Sequence, residues 1–339
     1  MNTLKIEYDG EASLAPAAEI IKNGGIVAFP TETVYGLGGN ALDRDAARKI
    51  YAAKGRPSDN PLIVHLADPR DAEKYCVTSD AFYRIADAFM PGPITVILPK
   101  KPVIPDSVTG GLDTVGIRVP SHRAANQLIR LSGVPIAAPS ANISGKPSPT
   151  RFEHIEHDLD GRVDALIDGG DCDFGVESTI IKINGSGILL LRPGAVTVEM
   201  LSLFCDRVTV DRAVTEKFDG VPMAPGMKYR HYAPDCPLTV IDGSDMDFRR
   251  FIAEKEGRER FGVICFDEDL PYITCQLTVS CGPEHDQLRQ AQTLFSCLRS
   301  FDGVCDIDMI YARMPSRNGI GLAVFNRLIK AAGFHVVKL

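Results

Sequence analysis

An α/β architecture in two parts is expected from this 339-residue chain: a twisted mixed sheet with helices over residues 1–210, and a smaller Rossmann-like βαβ C-terminal domain over residues 238–339. Length is the first reason, because it exceeds what one hydrophobic core usually holds. The second is the alternation of short apolar runs with helical periodicities through both parts. The third is a break over residues 211–237, where proline and glycine interrupt all periodicity.

The elements follow in order. Ala15–Lys22 reads as a helix closed by Asn23-Gly24-Gly25, and Ile26-Val27-Ala28-Phe29 as a buried strand. Asp43 suits the N-cap of a helix over Arg44–Lys54, whose Ala47, Ile50 and Tyr51 share one face. Leu62–Leu66 and Ile94–Leu98 are strands on either side of a helix at Asp80–Phe89. Val115, Ile117 and Val119 alternate with Gly116 and Arg118, so a strand there turns Arg118 away from the apolar three. Further strands fit Ile136–Ala138, Ala165–Ile167, Thr179–Ile183 and Ile188–Leu191. So many short strands exceed a simple doubly wound sheet and favour a mixed one. After the break, Leu238–Ile241, Val263–Phe266, Ile307–Tyr311 and His335–Val337 are expected strands. Helices at Phe248–Lys255, Gln287–Arg299 and Leu322–Lys330 alternate with them, through right-handed crossovers.

Composition narrows the function. Net charge is −7, and no segment is a basic module, so broad nucleic-acid binding gets no support; a local basic site inside a cleft stays open. No apolar run reaches membrane-spanning length and the first ten residues lack a signal-peptide core, so a cytoplasmic protein without a membrane partner is expected. The nine cysteines are scattered, odd in number and never two residues apart, which suits small core hydrophobes and gives no metal site.

The usual nucleotide signatures are missing. Ser144-Gly145-Lys146-Pro147 resembles only the end of a phosphate loop, and Gly36-x-Gly38-x-x-Ala41 lies too far from its strand for a dinucleotide fingerprint. Polar clusters remain. Pro30–Gly38 is rich in hydroxyls and glycine, which suits ligand binding and an ordinary strand-to-helix turn equally. Lys54-Gly55-Arg56 sets a point charge beside a planar fork, a good anion clamp, although a basic helix terminus also accounts for Lys54. Arg118, if covered, needs an acidic partner or a ligand. Ala138–Thr150 carries three serines and an asparagine, and Glu177-Ser178-Thr179 and Arg192-Pro193-Gly194 extend the theme. Lys54, Arg56, Arg118, Lys146 and Arg192 together suit one polyanion, with neither a catalytic triad nor a metal cluster beside them. Such a site works by positioning and charge neutralisation, as phosphoryl or nucleotidyl chemistry requires. In the break, Lys228, Arg230 and His231 interleave with Tyr229 and Tyr232, unusual for an inert spacer, so a linker that touches the ligand is expected beside a merely docked one.

These residues resemble the Sua5/YrdC/YciO family, and within it the two-domain Sua5 type. The resemblance spans essentially the whole chain and rests on Thr31–Leu37, Lys54-x-Arg56 with Asn60-Pro61-Leu62, Pro91-Gly92-Pro93, Gly116-Ile117-Arg118, Ser140-x-Asn142, Ser178-Thr179, Leu191–Gly194 and Ala224–Pro234. It implies a YrdC-like sheet in the first domain, with 211–237 as a linker contacting the active site. It also implies a nucleotidyltransferase that condenses L-threonine, bicarbonate and ATP into L-threonylcarbamoyladenylate, releasing pyrophosphate. Mg2+ would accompany the ATP, and the product would feed the t6A modification of tRNA through a downstream transferase complex. By this resemblance Thr33, His65, Arg118, Ala138 and Ser178 contact threonine. Arg56, Asn60, Thr114, Ser140, Ser148, Arg192, His231 and Tyr232 hold ATP, and Lys54 and Asn142 act with Arg56 on the reacting groups. A non-catalytic YrdC-type RNA-binding module is the alternative. A hydrogenase-maturation carbamoyltransferase, which embeds a related domain, would need zinc-binding cysteine pairs that this chain lacks.

Overall fold

Local signals place the first elements. The Asp43 side chain accepts the Asp45 amide and opens the helix Arg44–Lys54, and Gly55, in the left-handed conformation at φ 61°, closes it. Ser79 caps the helix Asp80–Phe89 in the same way, through the Phe82 amide. The computed structural model describes residues 2–217, 220, 224 and 231–339; Lys228, Tyr229 and Arg230 lie outside the described residues.

Eleven strands build the first sheet: β1 (Leu4–Glu7), β2 (Val27–Phe29), β3 (Gly36–Asn40), β4 (Ile63–His65), β5 (Ile94–Pro99), β6 (Thr114–Arg118), β7 (Ile136–Ala138), β8 (Ala165–Asp168), β9 (Thr179–Asn184), β10 (Gly187–Arg192) and β11 (Arg207–Val210). Their order is β1-β8-β2-β3-β7-β4-β6-β5-β9-β10-β11. Parallel pairs such as β4 with β6 and β5 with β9 mix with antiparallel pairs such as β2 with β3 and β5 with β6. The expected mixed sheet is what forms, with helices such as Arg123–Ser132 and Phe152–Leu159 in addition to those expected. Its largest core cluster gathers, among others, Tyr35, Leu37, Ile50, Val64, Phe82, Ile94, Val96 and Ile117, these eight fully buried.

Two expectations change. The Pro30–Gly38 stretch is not one loop: it turns at Pro30–Tyr35 and returns as β3, antiparallel to β2, with Phe29 opposite Gly36. Glycine disfavours strands in general, yet here a larger residue has no room. A Cβ on Gly38 would lie 2.5 Å from an Ile136 methyl and 2.7 Å from the Phe29 ring. The second change is the end of β6 at Arg118 rather than Val119, which puts the arginine at a strand terminus.

Five strands form the second sheet, all parallel: β12 (Leu238–Asp242), β13 (Phe261–Cys265), β14 (Leu277–Ser280), β15 (Met309–Arg313) and β16 (Val336–Lys338), in the order β14-β13-β15-β12-β16. The chain leaves adjacent β12 and β15 toward opposite edges of the sheet, the arrangement that opens a ligand crevice in many α/β proteins. Here that place is filled. Arg313, at the end of β15, pairs with Asp245, with Asp269 at 2.7 Å and with Glu284 at 2.8 Å, and stacks over Phe266.

The two domains are packed together by helices of the second. From Gln287–Arg299, Gln292 donates to the Asp173 carbonyl at 2.8 Å, and Arg299 donates to Asp158 at 2.7 Å and to the Pro147 carbonyl at 2.6 Å. Contact is so close at Gly175 that a Cβ would lie 2.4 Å from the Gln292 backbone. The helix Gly321–Ala331 is covered nearly all round, including its polar Asn326, Arg327 and Lys330. Among the described residues no helix is long and apolar enough to cross a membrane.

Candidate active site

Arg118 organises one wall. Its Nη2 donates to Glu32 Oε1 and Thr33 Oγ1, both at 2.8 Å, and to Thr31 Oγ1 at 3.3 Å. The Arg118 and Glu32 side chains are 5% and 1% exposed, so the acidic partner required of a covered arginine is Glu32. Two atoms of this pair stay unsatisfied among the described residues: Arg118 Nε and Glu32 Oε2. Beside it His65, opposite Arg118 in the β4–β6 register, turns Nδ1 to the Ile63 carbonyl at 3.1 Å. Burial, and then the Arg118 charge, push the His65 pKa down to about 3, so the imidazole is neutral in the ordinary working range.

The opposite wall is the loop that follows β7. Asn142 donates from Nδ2 to the carbonyls of Ile143 and Lys146, each at 2.8 Å, and its Oδ1 accepts from Ser140 Oγ at 2.6 Å. Lys54, 1% exposed at the end of its helix, donates into the same loop, to the carbonyls of Ser140 and Asn142 and, at 3.3 Å, to Asn142 Oδ1. Burial, and then Arg56, lower its pKa well below the usual lysine value. Arg56 grips the next turn, donating from Nε to the Asn60 carbonyl at 3.3 Å and from Nη2 to the Pro61 carbonyl at 3.2 Å.

Glu177 joins the third wall to the second domain. Its Oε1 accepts from Ser148 Oγ at 2.6 Å and its Oε2 from Arg327 Nε at 2.9 Å. Burial would raise this carboxyl, but Arg327 and then Arg192 hold it down to about 2. Arg192, the last residue of β10, donates from Nε to the Ser178 carbonyl and from Nη2 to Ser178 Oγ, each at 3.1 Å, and Ser178 meets Thr95 Oγ1 at 2.9 Å. Tyr232 closes this side with a left-handed backbone at φ 64°, a strained state for a tyrosine, while its ring packs 5.1 Å from Phe295. His231, half-buried overall, has a pKa pushed down to about 3 by desolvation and then by Arg56 and Lys330.

One cleft of about 680 Å3, counting its open mouth, brings together Lys54, Arg56, His65, Arg118, Ala138, Ser140, Asn142, Arg192, His231 and Tyr232. Thr33, Ser148 and Ser178 stand just behind, bonded to Arg118, Glu177 and Arg192. Asn60 is buried under Arg56 with Oδ1 unpartnered among the described residues. Thr114 lies at the other end of β6, four residues before Arg118, and is not part of the lining. Lys146 does not join the cations of the cleft: it pairs with Asp235 and, at 3.3 Å, with Asp302. Glu32 and Glu177, which fix the arginines, were not singled out as site residues by sequence reasoning, though each stands among hydroxyls in a quoted cluster. Arg327 has no sequence signal, since it sits in what reads as the solvent stripe of a helix.

Four cations thus converge from separate elements. The hydroxyls of Thr31 and Ser140 donate to the Val34 carbonyl and to Asn142 rather than to a base. Such a site neutralises and orients an anion, and the reacting nucleophile comes with the substrates.

Known proteins resemble this chain in sequence and fold. Residues 19–194 match the family model of the Sua5, YciO and YrdC proteins, described as telomere recombination, and residues 196–333 match the model described as threonylcarbamoyl-AMP synthase, C-terminal domain. The chain is 45% identical over 331 residues to the threonylcarbamoyl-AMP synthase of Bacillus subtilis, covering 97% of this chain and 95% of that one. Against the synthase of Pyrococcus abyssi it is 44% identical over 333 residues, covering 95% of each. A crystal structure of P. abyssi Sua5 complexed with L-threonine matches with a TM-score of 0.92 at 41% identity, over 100% of both chains.

Proposed function

The chain belongs to the Sua5/YciO/YrdC family in its two-domain form, and we propose that it works as a nucleotidyltransferase whose cleft binds threonine along the Arg118 wall and ATP along the Lys54–Arg56 and Arg192 walls. Its activity is threonylcarbamoyl-AMP synthesis: L-threonine, bicarbonate and ATP give threonylcarbamoyl-adenylate and pyrophosphate, for t6A formation in tRNA. The neutral threonine amine attacks the bicarbonate carbon, a C–O bond breaks and water leaves with an amine proton to give the carbamate; a carbamate oxygen then attacks the α-phosphorus as pyrophosphate leaves.

The convergence of Lys54, Arg56, Arg118 and Arg192 on one cleft carries this reading. Arg118, already located by Glu32, takes the threonine carboxylate with the donors that its protein partners leave over, Nε among them. Thr33 and Ser178 shape that end by fixing Arg118 and Arg192, Ala138 supplies an apolar contact, and His65 positions as a neutral donor or acceptor. Arg56 and Arg192 meet the phosphates, with Ser140, Ser148 and Asn60 around them, and His231 and Tyr232 cover the nucleotide; Thr114, outside the lining, has no place in this assignment. Lys54 and Asn142 hold the loop after β7 in shape for the reacting groups. Magnesium would accompany the ATP as the counter-ion of its triphosphate. The product is handed to a t6A transferase complex acting on tRNA.

Mass spectrometry of the product made from ATP, bicarbonate and a mixture of amino acids tests this reading. Threonylcarbamoyl-adenylate is expected, with pyrophosphate release that depends on threonine. Binding of tRNA without any such release would overturn it in favour of an RNA-binding module.

A further inference from the structure

Arg327 of the second domain bonds directly to Glu177, a residue that lines the cleft. Arg327 is 0% exposed and lies under the first domain rather than on its own sheet. Its Nε donates to Glu177 Oε2 at 2.9 Å, its Nη2 to the Glu177 carbonyl at 3.2 Å, and its Nη1 to the Pro193 carbonyl. One planar fork therefore ties two loops of the first domain together, one leading into β9 with Ser178 and one leaving β10 after Arg192. The same two loops are joined on the cleft side by Arg192 itself, which donates twice to Ser178. Glu177 lies between the two arginines, and its low pKa reflects Arg327 first and Arg192 second.

Charge makes the arrangement consequential. A covered carboxylate needs a cation, and after Arg327 the charge that acts most on Glu177 is Arg192. Drawing Arg192 onto Glu177 would move a phosphate-binding fork out of register with the cleft and set a negative charge against an incoming triphosphate. Lys330, one turn further along the same helix, has its pKa lowered to about 7 by burial and then by Arg327 and Arg192, and a lysine lacks the planar fork that makes these three donations in fixed geometry.

We infer that Arg327 is a positioning residue for the reaction: from the second domain it holds Glu177 away from Arg192 and so keeps Arg192 set for the ATP phosphates. The inference rests on the proposed placement of ATP along Arg192. It gives the second domain a role in the chemistry that its own sheet, with its filled crevice, does not supply.

The test uses the full chain in four forms: wild type, Arg327→Met, Arg327→Lys, and Arg327→Met combined with Glu177→Gln. Pyrophosphate release is measured against ATP and against threonine separately, with thermal melting alongside. Arg327→Met is expected to raise the ATP KM about tenfold while the threonine KM changes by less than about threefold. Removing the stranded charge in the double variant should recover most of that loss. Arg327→Lys should raise the ATP KM by about threefold or more, because an ammonium cannot span Glu177 and Pro193 together. An unchanged ATP KM in either single variant overturns the inference, and Arg327→Lys alone decides if Arg327→Met does not fold. A double variant no better than Arg327→Met also overturns it, reducing Arg327 to interdomain packing. Failure of the proposed function is a separate result: wild-type chain that releases no pyrophosphate with threonine.

Discussion

Glu32 accepts from Arg118 across 2.8 Å with both side chains covered, so the carboxylate sets the guanidinium in place before any substrate arrives. Glu32→Gln keeps the size and loses the charge. Its expected effect is a threonine KM raised about tenfold, near 1.4 kcal/mol, with the ATP KM little changed. Pyrophosphate release at varied threonine reads this directly; an unaltered threonine KM would detach Arg118 from the substrate carboxylate.

Arg56 faces the cleft from a turn that it also braces through the Asn60 and Pro61 carbonyls. Arg56→Ala is expected to raise the ATP KM by about tenfold or more while the melting temperature falls by only a few degrees. Equal losses for ATP and threonine would mean that the turn, and not the charge, had been lost.

Acid should unfold this chain in two stages. His65 has a folded pKa of about 3 against an ordinary 6.5, so between those values the unfolded chain takes up a proton that the folded chain refuses. Stability is full above pH 6.5 and declines as pH falls toward 3, and His231, also at about 3, adds in the same direction. Glu177, at about 2 instead of 4.5, adds a further loss that begins below pH 4.5. Urea unfolding across this range should show the first decline weakened in His65→Asn. A variant with the wild-type slope would assign that proton uptake elsewhere. His65 also cannot produce a limb near neutrality in the pH profile of the reaction, because it is already deprotonated there.

Arg313 is 4% exposed on its side chain and serves three carboxylates, one of them the fully covered Asp269. Arg313→Met should cost about 3 kcal/mol, the low end for breaking a buried pair, because Arg249 still holds the other Asp269 oxygen. Calorimetry measures it. No loss would mean that the carboxylates turn to solvent without penalty.

Much of the layout was legible because apolar periodicity reports which residues face a core. Helices such as Arg44–Lys54 and Gln287–Arg299 stand where caps and spacing put them. β3 was hidden because its glycines lack the side chains from which strands are read, while steric contact with Phe29 and Ile136 demanded them. The cations of the cleft were visible as charges beside glycine and proline, except that Lys146 answers Asp235 of the linker and Asp302 of the second domain, long-range pairings no local pattern encodes. Glu32 and Glu177 were obscured for the same reason, since a carboxylate's meaning depends on which arginine the fold brings to it.

The helix Gly321–Ala331 carries Asn326 and Arg327 on a surface satisfied by earlier parts of the chain, through the Val214 carbonyl after the first domain and Glu177 within it. The ribosome makes the first domain before that helix, so maturation has a direction. The early part of the chain can fold as it emerges, while the last helix needs an already formed dock for its polar face. Docking of this helix onto the earlier part of the chain therefore completes the charge pattern under Arg192.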